Sequence, residues 1–181
     1  MLLTMIPSRS LVVYLAFLAV ILSACGGSVE LVVREYEDGE ELVQLQYRGE
    51  ESAMHLIKEV RFYKDGPKKM VTPMNNGKVN GIIESYYPTG HLKETISFKD
   101  GVQDGMYRSY DSHGTLVFEG AIEGGLKQGI WTTWYDEVQK SEERNYQNDE
   151  LHGQWTYWYI DGSKKRIEEY ENGKLTNQTE F

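Results

Sequence analysis

Glycine and aromatic residues recur along the chain at a fixed spacing of 24 residues. Glycines stand at positions 81, 105, 129 and 153, with no insertion or deletion between them. Apolar or aromatic residues follow each glycine at the second, fifth and seventeenth positions. The three sets are Ile83, Tyr107, Trp131 and Trp155; Tyr86, Tyr110, Trp134 and Trp158; and Phe98, Ile122, Tyr146 and Tyr170. Such self-similarity indicates a repeat architecture in which each unit is one supersecondary element.

Turn signals fall at two positions within each unit. The first set is Asp65-Gly66, Thr89-Gly90, His113-Gly114 and Asp161-Gly162, and the second is Asn76-Gly77, Asp100-Gly101, Gly124-Gly125 and Asn172-Gly173. Glycine accepts positive φ, and Asn or Asp before it favours tight hairpin turns. The intervening runs have strand length and are rich in Tyr, Trp, Thr, Ile and Phe. The pattern therefore predicts an all-β protein, an elongated antiparallel sheet of stacked β-hairpin repeats.

The aromatic residues at the second and fifth positions differ in parity along the strand. A regular strand would therefore place Trp131 and Trp134 on opposite faces of the sheet. Either both faces are covered by side chains, or a bulge lies between the two positions. The sequence leaves both arrangements open.

The first 24 residues form a separate segment. They carry one charged residue, Arg9, and a short apolar run from Leu11 to Leu22. This run is too short for a comfortable membrane span and is typical of a signal peptide. The following Leu-Ser-Ala-Cys box resembles the cleavage site of bacterial lipoproteins, with Cys25 as the lipidated residue. The alternative is an uncleaved anchor with an incidental cysteine.

These patterns predict three segments. Residues 1–24 are a lipoprotein signal peptide, and residues 25–56 hold the lipid anchor, a linker and a degenerate first repeat. Residues 57–181 are the repeat domain, which begins with a unit at Ile57 that lacks the opening glycine. Lipidation of Cys25, for example with palmitate, would place the protein in the bacterial cell envelope. Gly26 in place of Asp is similar to outer-membrane sorting in a Gram-negative host.

The negative charge of the chain restricts the kinds of partner that it can bind. Of its 19 basic residues only Arg9 lies in the first 24, and all 28 acidic residues lie beyond them, which gives the remainder a formal charge of −10. Such a body repels the phosphate backbone, so no nucleic-acid partner is expected. It also repels an anionic lipid surface, so the lipid on Cys25 must provide the membrane attachment.

The repeat resembles the bacterial variant of the MORN family. The resemblance rests on Gly81, Tyr86-Tyr87, Gly90, Phe98 and Gly101, and on the matching positions from Gly153 to Gly173. It covers about residues 57–176, and the chain departs from the pattern at Asp111, Val138 and Glu150. The resemblance implies a binding module. Members of the antitoxin-like YwqK type imply the alternative function, neutralisation of a toxin by direct binding.

The last two repeats hold all four tryptophans of the chain. The candidate binding surface is formed by Trp131, Trp134, Tyr135, Trp155, Tyr157, Trp158 and Tyr159. Aromatic side chains are enriched at interface hot spots and could also stack on the sugars of envelope glycans. However, tyrosines occupy the fifth position in earlier repeats, which favours a stacked core ladder for any single tryptophan.

No constellation of catalytic residues is visible. The four histidines fall at different repeat positions, paired acids are expected on solvated faces, and no nucleophile elbow or phosphate loop occurs. We therefore expect no enzyme activity, cofactor or metal. The sequence predicts a lipid-anchored envelope scaffold that binds a protein or a glycan, with the antitoxin or immunity function as the alternative.

Overall fold

A computed structural model describes residues 19–21, 29–37, 41–50, 53–64 and 66–181, with side chains at 43–49, 55–64 and 66–181. Within these ranges the chain is all-β and contains no helix. The strands are β1 Ala19–Ile21, β2 Val29–Glu37, β3 Glu41–Glu50, β4 Ala53–Phe62, β5 Lys68–Asn75, β6 Lys78–Val79, β7 Gly81–Tyr86, β8 Leu92–Lys99, β9 Val102–Tyr110, β10 Leu116–Glu123, β11 Leu126–Trp134, β12 Lys140–Gln147, β13 Glu150–Trp158, β14 Lys164–Glu171 and β15 Lys174–Glu180.

The strands form one open antiparallel sheet in which each strand pairs with the next along the chain. Only the two-residue β6 leaves this order, because it pairs with β5 alone, while β5 also pairs with β7. The predicted elongated sheet of consecutive β-hairpins is therefore confirmed. Strands β2 and β3 precede residue 57, and β4 runs through it, so the sheet is continuous at that position.

Five two-residue turns lie at one end of the strands, and this side of the sheet is here called the turn edge. Both central residues of each turn have positive φ, as a type I′ turn requires; the pairs are Asn76-Gly77, Asp100-Gly101, Gly124-Gly125, Asn148-Asp149 and Asn172-Gly173. The prediction that Glu150 departs from the repeat pattern at the turn glycine is wrong by one residue. Asp149, with φ of 67°, occupies the glycine position, and Glu150 begins β13.

The opposite edge, here called the loop edge, carries five-residue loops at 63–67, 87–91, 111–115, 135–139 and 159–163. In each loop the first residue donates its backbone N–H to the carbonyl of the fifth residue, at 2.8–3.1 Å. Tyrosine side chains then connect neighbouring repeats. Tyr63, Tyr87 and Tyr135 each donate a hydroxyl hydrogen bond to the carbonyl 23 residues further on, at 2.7, 2.9 and 3.0 Å.

A bulge follows each loop, but it lies on the strand after the loop and not between the second and fifth positions of the repeat. Between Thr133 and Trp134 the register slips by one residue, and the extra residue is Ser141 on β12. The equivalent extra residues in the other repeats are Lys69, Lys93, Val117 and Lys165. β11 is irregular against β10 between Gln128 and Thr132, but it has no inserted residue between Trp131 and Trp134, so these two side chains lie on opposite faces. We call the face with Trp131 the front face and the other the back face.

The most buried aromatic packing lies on the front face. The Trp131 side chain is only 3% exposed and rests directly on the backbone of Gly120. Its ring lies 5.8 Å from Tyr107, 5.2 Å from Phe118 and 6.2 Å from Tyr146, and its Nε1 donates a 3.1 Å hydrogen bond to the Ala121 carbonyl. Aromatic rings on neighbouring strands thus replace the second layer that most sheets use as a core.

Candidate functional site

The seven predicted site residues do not form one surface. Trp131, Trp155 and Tyr157 lie on the front face, as their strand registers show. Trp134 and Trp158 lie on the back face, and Tyr135 and Tyr159 begin loops on the loop edge. The aromatic residues therefore serve at least two purposes, which the packing of each group separates.

The front-face aromatics of the fourth repeat belong to a stack of rings and cations. The Trp155 and Tyr157 rings lie 4.9 Å apart and are nearly parallel. The Arg144 guanidinium lies 4.4 Å from the Trp155 ring centre, and the Arg166 guanidinium lies 4.2 Å from the Tyr157 ring centre. Each ring is thus engaged by a cation and by the other ring, an arrangement that stabilises packed side chains.

Two carboxylates complete this stack. Glu142 accepts hydrogen bonds from Arg144 at 2.9 Å and from Trp155 Nε1 at 3.2 Å. Glu168 is only 7% exposed, and its Oε1 lies 3.0 Å from Arg166 Nε. A buried charge is tolerated best when it is paired and hydrogen-bonded, and Glu142 meets that condition. Arg166 Nε is paired with Glu168 by charge, but it is buried and has no hydrogen-bond partner among the described residues. The front-face cluster is therefore a charge-balanced structural unit, with each of these carboxylates paired to an arginine.

Two tyrosine hydroxyls also bind the Glu168 carboxylate. Tyr157 and Tyr170 donate hydrogen bonds to its Oε2 at 3.3 and 3.1 Å. Burial, and then the Glu168 carboxylate, raise the pKa of Tyr170, because both disfavour a second negative charge at this place. These hydroxyls are therefore held as neutral donors, which is a structural use and offers no nucleophile or base.

The loop edge of the last two repeats is different, because it exposes large apolar side chains. Five residues there are between 44% and 87% exposed: Tyr135, Val138, Tyr159, Ile160 and Phe181. We call these five residues the loop-edge patch. The half-buried Trp134 and Trp158 lie next to it, at the ends of β11 and β13.

Hydrogen bonds and ring contacts hold the patch together. Tyr135 donates its hydroxyl to the Trp158 carbonyl, and the Phe181 backbone N–H donates to the Lys165 carbonyl at 3.2 Å. The Lys165 ammonium in turn lies 5.6 Å from the centre of the Tyr159 ring. The patch is therefore built on strand ends that are joined to one another.

The described residues of the earlier repeats present no such surface on the same edge. The loops at 63–67 and 87–91 carry mainly Lys, Asp, Pro, Thr and His beside a tyrosine, and the loop at 111–115 has Asp111 in place of the tyrosine. Sequence reasoning found Tyr135 and Tyr159 but missed Val138, Ile160 and Phe181. The available signal was an apolar residue at a turn position where a polar one is usual, since exposed apolar clusters often mark interaction sites.

Other kinds of site find no support in the part of the chain that the structure describes. Within it, no group of three or more His, Cys, Asp or Glu side chains is placed to hold a metal ion. None of the described segments is a helix long and apolar enough to cross a membrane. The predicted lipidation residue, Cys25, lies outside the described residues.

Comparisons with known protein families and with curated proteins assign the chain to no family. No protein-family model matches the chain, and no curated protein matches it.

Proposed function

We propose that this chain is a lipid-anchored envelope scaffold that binds a protein partner through the loop-edge patch. The observation that carries the proposal is that, among the residues whose side chains the structure describes, exposed large apolar side chains on this edge are confined to the last two repeats. Aromatic residues of this kind, above all Trp and Tyr, supply most of the binding energy at protein interfaces. The tyrosine hydrogen bonds fix the loops in place, so binding would cost little ordering entropy.

The position of the patch favours a protein over the anchoring membrane. Strand β2 ends at Glu37, which pairs with β3 beside the loop edge, so its first residue, Val29, lies at the turn edge. The proposed lipid on Cys25 comes four residues before Val29. Four residues span at most about 14 Å. With strands about 4.8 Å apart, the eight to twelve intervals from β2 to the strands of the patch, β11 to β15, place the patch roughly 38–58 Å along the sheet from β2. The patch thus lies at the opposite corner.

The front-face rings do not support the glycan partner that the sequence also predicted. Trp155 and Tyr157 are each engaged by a guanidinium and by the neighbouring ring. Stacking of a sugar on either ring would have to displace one of these contacts. The exposed patch, with Val138, Ile160 and Phe181, is mainly apolar and has the composition of a protein-binding surface.

A photo-cross-linking comparison tests the proposal in living cells. A photoreactive phenylalanine analogue is placed at Val138 and at Ile160 of the full chain. It is also placed, as a matched control, at the exposed Ile82, near the turn edge, and at the exposed Ile130, in the middle of β11. We expect one discrete protein adduct at both patch positions, its loss when Tyr159→Ser is added, and no adduct at the controls.

Three results would contradict the proposal. These are no adduct at the patch, equal adducts at patch and control positions, or adducts with lipid alone. The trapped protein could be a toxin encoded by a neighbouring gene. If deletion of this chain is then lethal only while that gene is present, the function is the antitoxin function that the MORN-like resemblance implies. A harmless deletion with the partner gene intact would exclude that alternative.

A further inference from the structure

A polar cavity of about 360 Å³ opens at the turn edge of the fourth repeat. It lies between the Asn148-Asp149 turn and the Asn172-Gly173 turn, and it is lined by Gln147, Asn148, Glu150, His152 and Asn172. This volume falls at the small end of the range for ligand-binding clefts. The cavity lies away from the loop-edge patch, so the inference is independent of the proposed function.

In the three preceding repeats, hydrogen bonds from one side chain to the next turn bridge the equivalent position, and each such bridge is here called a clasp. Asn80 donates a 3.0 Å hydrogen bond to the Asp100 side chain of the next turn. Asp104 accepts a 3.3 Å hydrogen bond from the Gly124 backbone N–H. Each of these residues immediately precedes the repeat's opening glycine and reaches the first residue of the next turn.

The third clasp is the tightest. Gln128 makes two hydrogen bonds with Asn148: its Nε2 donates to Asn148 Oδ1 at 2.7 Å, and its Oε1 accepts from the Asn148 backbone N–H at 3.1 Å. A side chain with one donor and one acceptor end thus fits an Asn at the start of the turn. The pair at 128 and 148 shows what a closed fourth clasp would look like.

His152 occupies the same position in the fourth repeat, opposite Asn172, and the clasp is missing. The backbone spacing is unchanged, because Gly173 N–H still donates to the Leu151 carbonyl at 2.9 Å, as Gly125 N–H does to Gln103 at 2.8 Å. Yet His152 Nδ1 is buried and has no hydrogen-bond partner among the described residues. A buried ring nitrogen without a partner is costly, and a rotation of the His152 ring that turns Nδ1 to the cavity would let a polar ligand or an ordered water bond it.

We propose that this cavity binds a neutral sugar unit. The three amide side chains of the lining both donate and accept, which matches sugar hydroxyls that do the same. Among the described residues, no Lys or Arg lines the cavity, so an anion finds no counter-charge from them, and Glu150 is their one charged lining group. Without an aromatic platform or apolar wall, binding rests on hydrogen bonds, and we expect a Kd on the order of 1 mM.

NMR titration of the full chain in detergent tests this site. With histidine rings labelled, N-acetylglucosamine and glucose are added separately, and putrescine serves as a cationic probe attracted by Glu150 alone. We expect saturable shifts of the His152 ring signals with at least one sugar, and only smaller, non-saturating shifts with putrescine, which Glu150 attracts without a fitted site. His152→Gln should reproduce the clasp of Gln128 with Asn148, close the cavity and weaken sugar binding at least tenfold, measured on backbone amide signals of the 147–152 turn.

The matched control is His113→Gln, because His113 is exposed on the loop edge, far from the cavity. It should leave sugar binding unchanged. The proposal is wrong if neither sugar shifts the His152 signals, if putrescine shifts them equally, or if His152→Gln binds as tightly as the unchanged chain. Since Tyr159→Ser affects only the patch, retention of sugar binding in that variant keeps the two proposals separable.

Discussion

Gly120→Ala should destabilise the sheet by displacing Trp131. A Cβ built on Gly120 would lie 2.1–2.4 Å from three carbon atoms of the Trp131 indole, far inside any real contact. The backbone itself would accept alanine, because the φ of Gly120 is outside the positive range. The substitution therefore tests ring packing against the backbone, free of conformational strain.

The magnitude follows from the burial of the ring. Full expulsion of Trp131, which is 97% buried, would expose roughly 150–250 Å², or about 4–6 kcal/mol at about 25 cal/mol per Å². A partial shift that keeps the ring inside costs about 1–3 kcal/mol. Alanine recovers about 0.5–1 kcal/mol because it is better than glycine in a strand. Because an overlap at 2.1 Å is too deep for a small shift, we expect the expulsion case, a net loss of about 3–5 kcal/mol in the free energy of unfolding.

Urea unfolding followed by circular dichroism and tryptophan fluorescence measures this loss. Gly66→Ala is the matched control, because its Cβ would meet its nearest atom at an ordinary 3.5 Å, and it should be nearly neutral. In a Trp131→Ala background the Gly120→Ala change should cost almost nothing, since its clash partner is gone. An equal cost in both backgrounds would refute the packing argument.

Two further predictions concern the tyrosines. Tyr87→Phe removes the hydroxyl bond to the Tyr110 carbonyl and should cost about 0.5–1.5 kcal/mol in urea unfolding, whereas a cost of zero would show that the inter-repeat bond contributes nothing. Burial, and then the 2.7 Å hydrogen bond to Glu84, raise the pKa of Tyr86 to about 12. Stability should therefore be complete below the ordinary pKa near 10 and decline as pH rises toward 12, and ultraviolet titration of Glu84→Gln should show Tyr86 ionising at lower pH.

Local rules predict much of this fold because its contacts are local. Each strand pairs with its neighbour in sequence, so turn residues such as Asn76-Gly77 nearly determine the pairing. The bulge at Ser141 was not predictable in the same way. It depends on how two strands slip against each other, and nothing in the residue type of Ser141 marks it.

The candidate site was only half accessible to sequence reasoning. Trp131 and Trp134 are the same residue type, three positions apart, and only strand packing shows that one rests on Gly120 while the other lies beside the loop edge. The patch joins Tyr135 to Phe181 through contacts across β12 to β15. Their separation in the sequence hides a surface that exists only once the strands are paired.

The sequence by itself determined the repeat length, the all-β class and the succession of hairpins, because turn chemistry and strand-length runs act over a few residues. Only the tertiary structure decided which aromatics are buried, where Arg144 covers Trp155 and which repeat lacks its clasp at His152. These outcomes depend on side chains brought together from neighbouring strands. Their free energies come from packing and desolvation between repeats, which no single 24-residue unit contains.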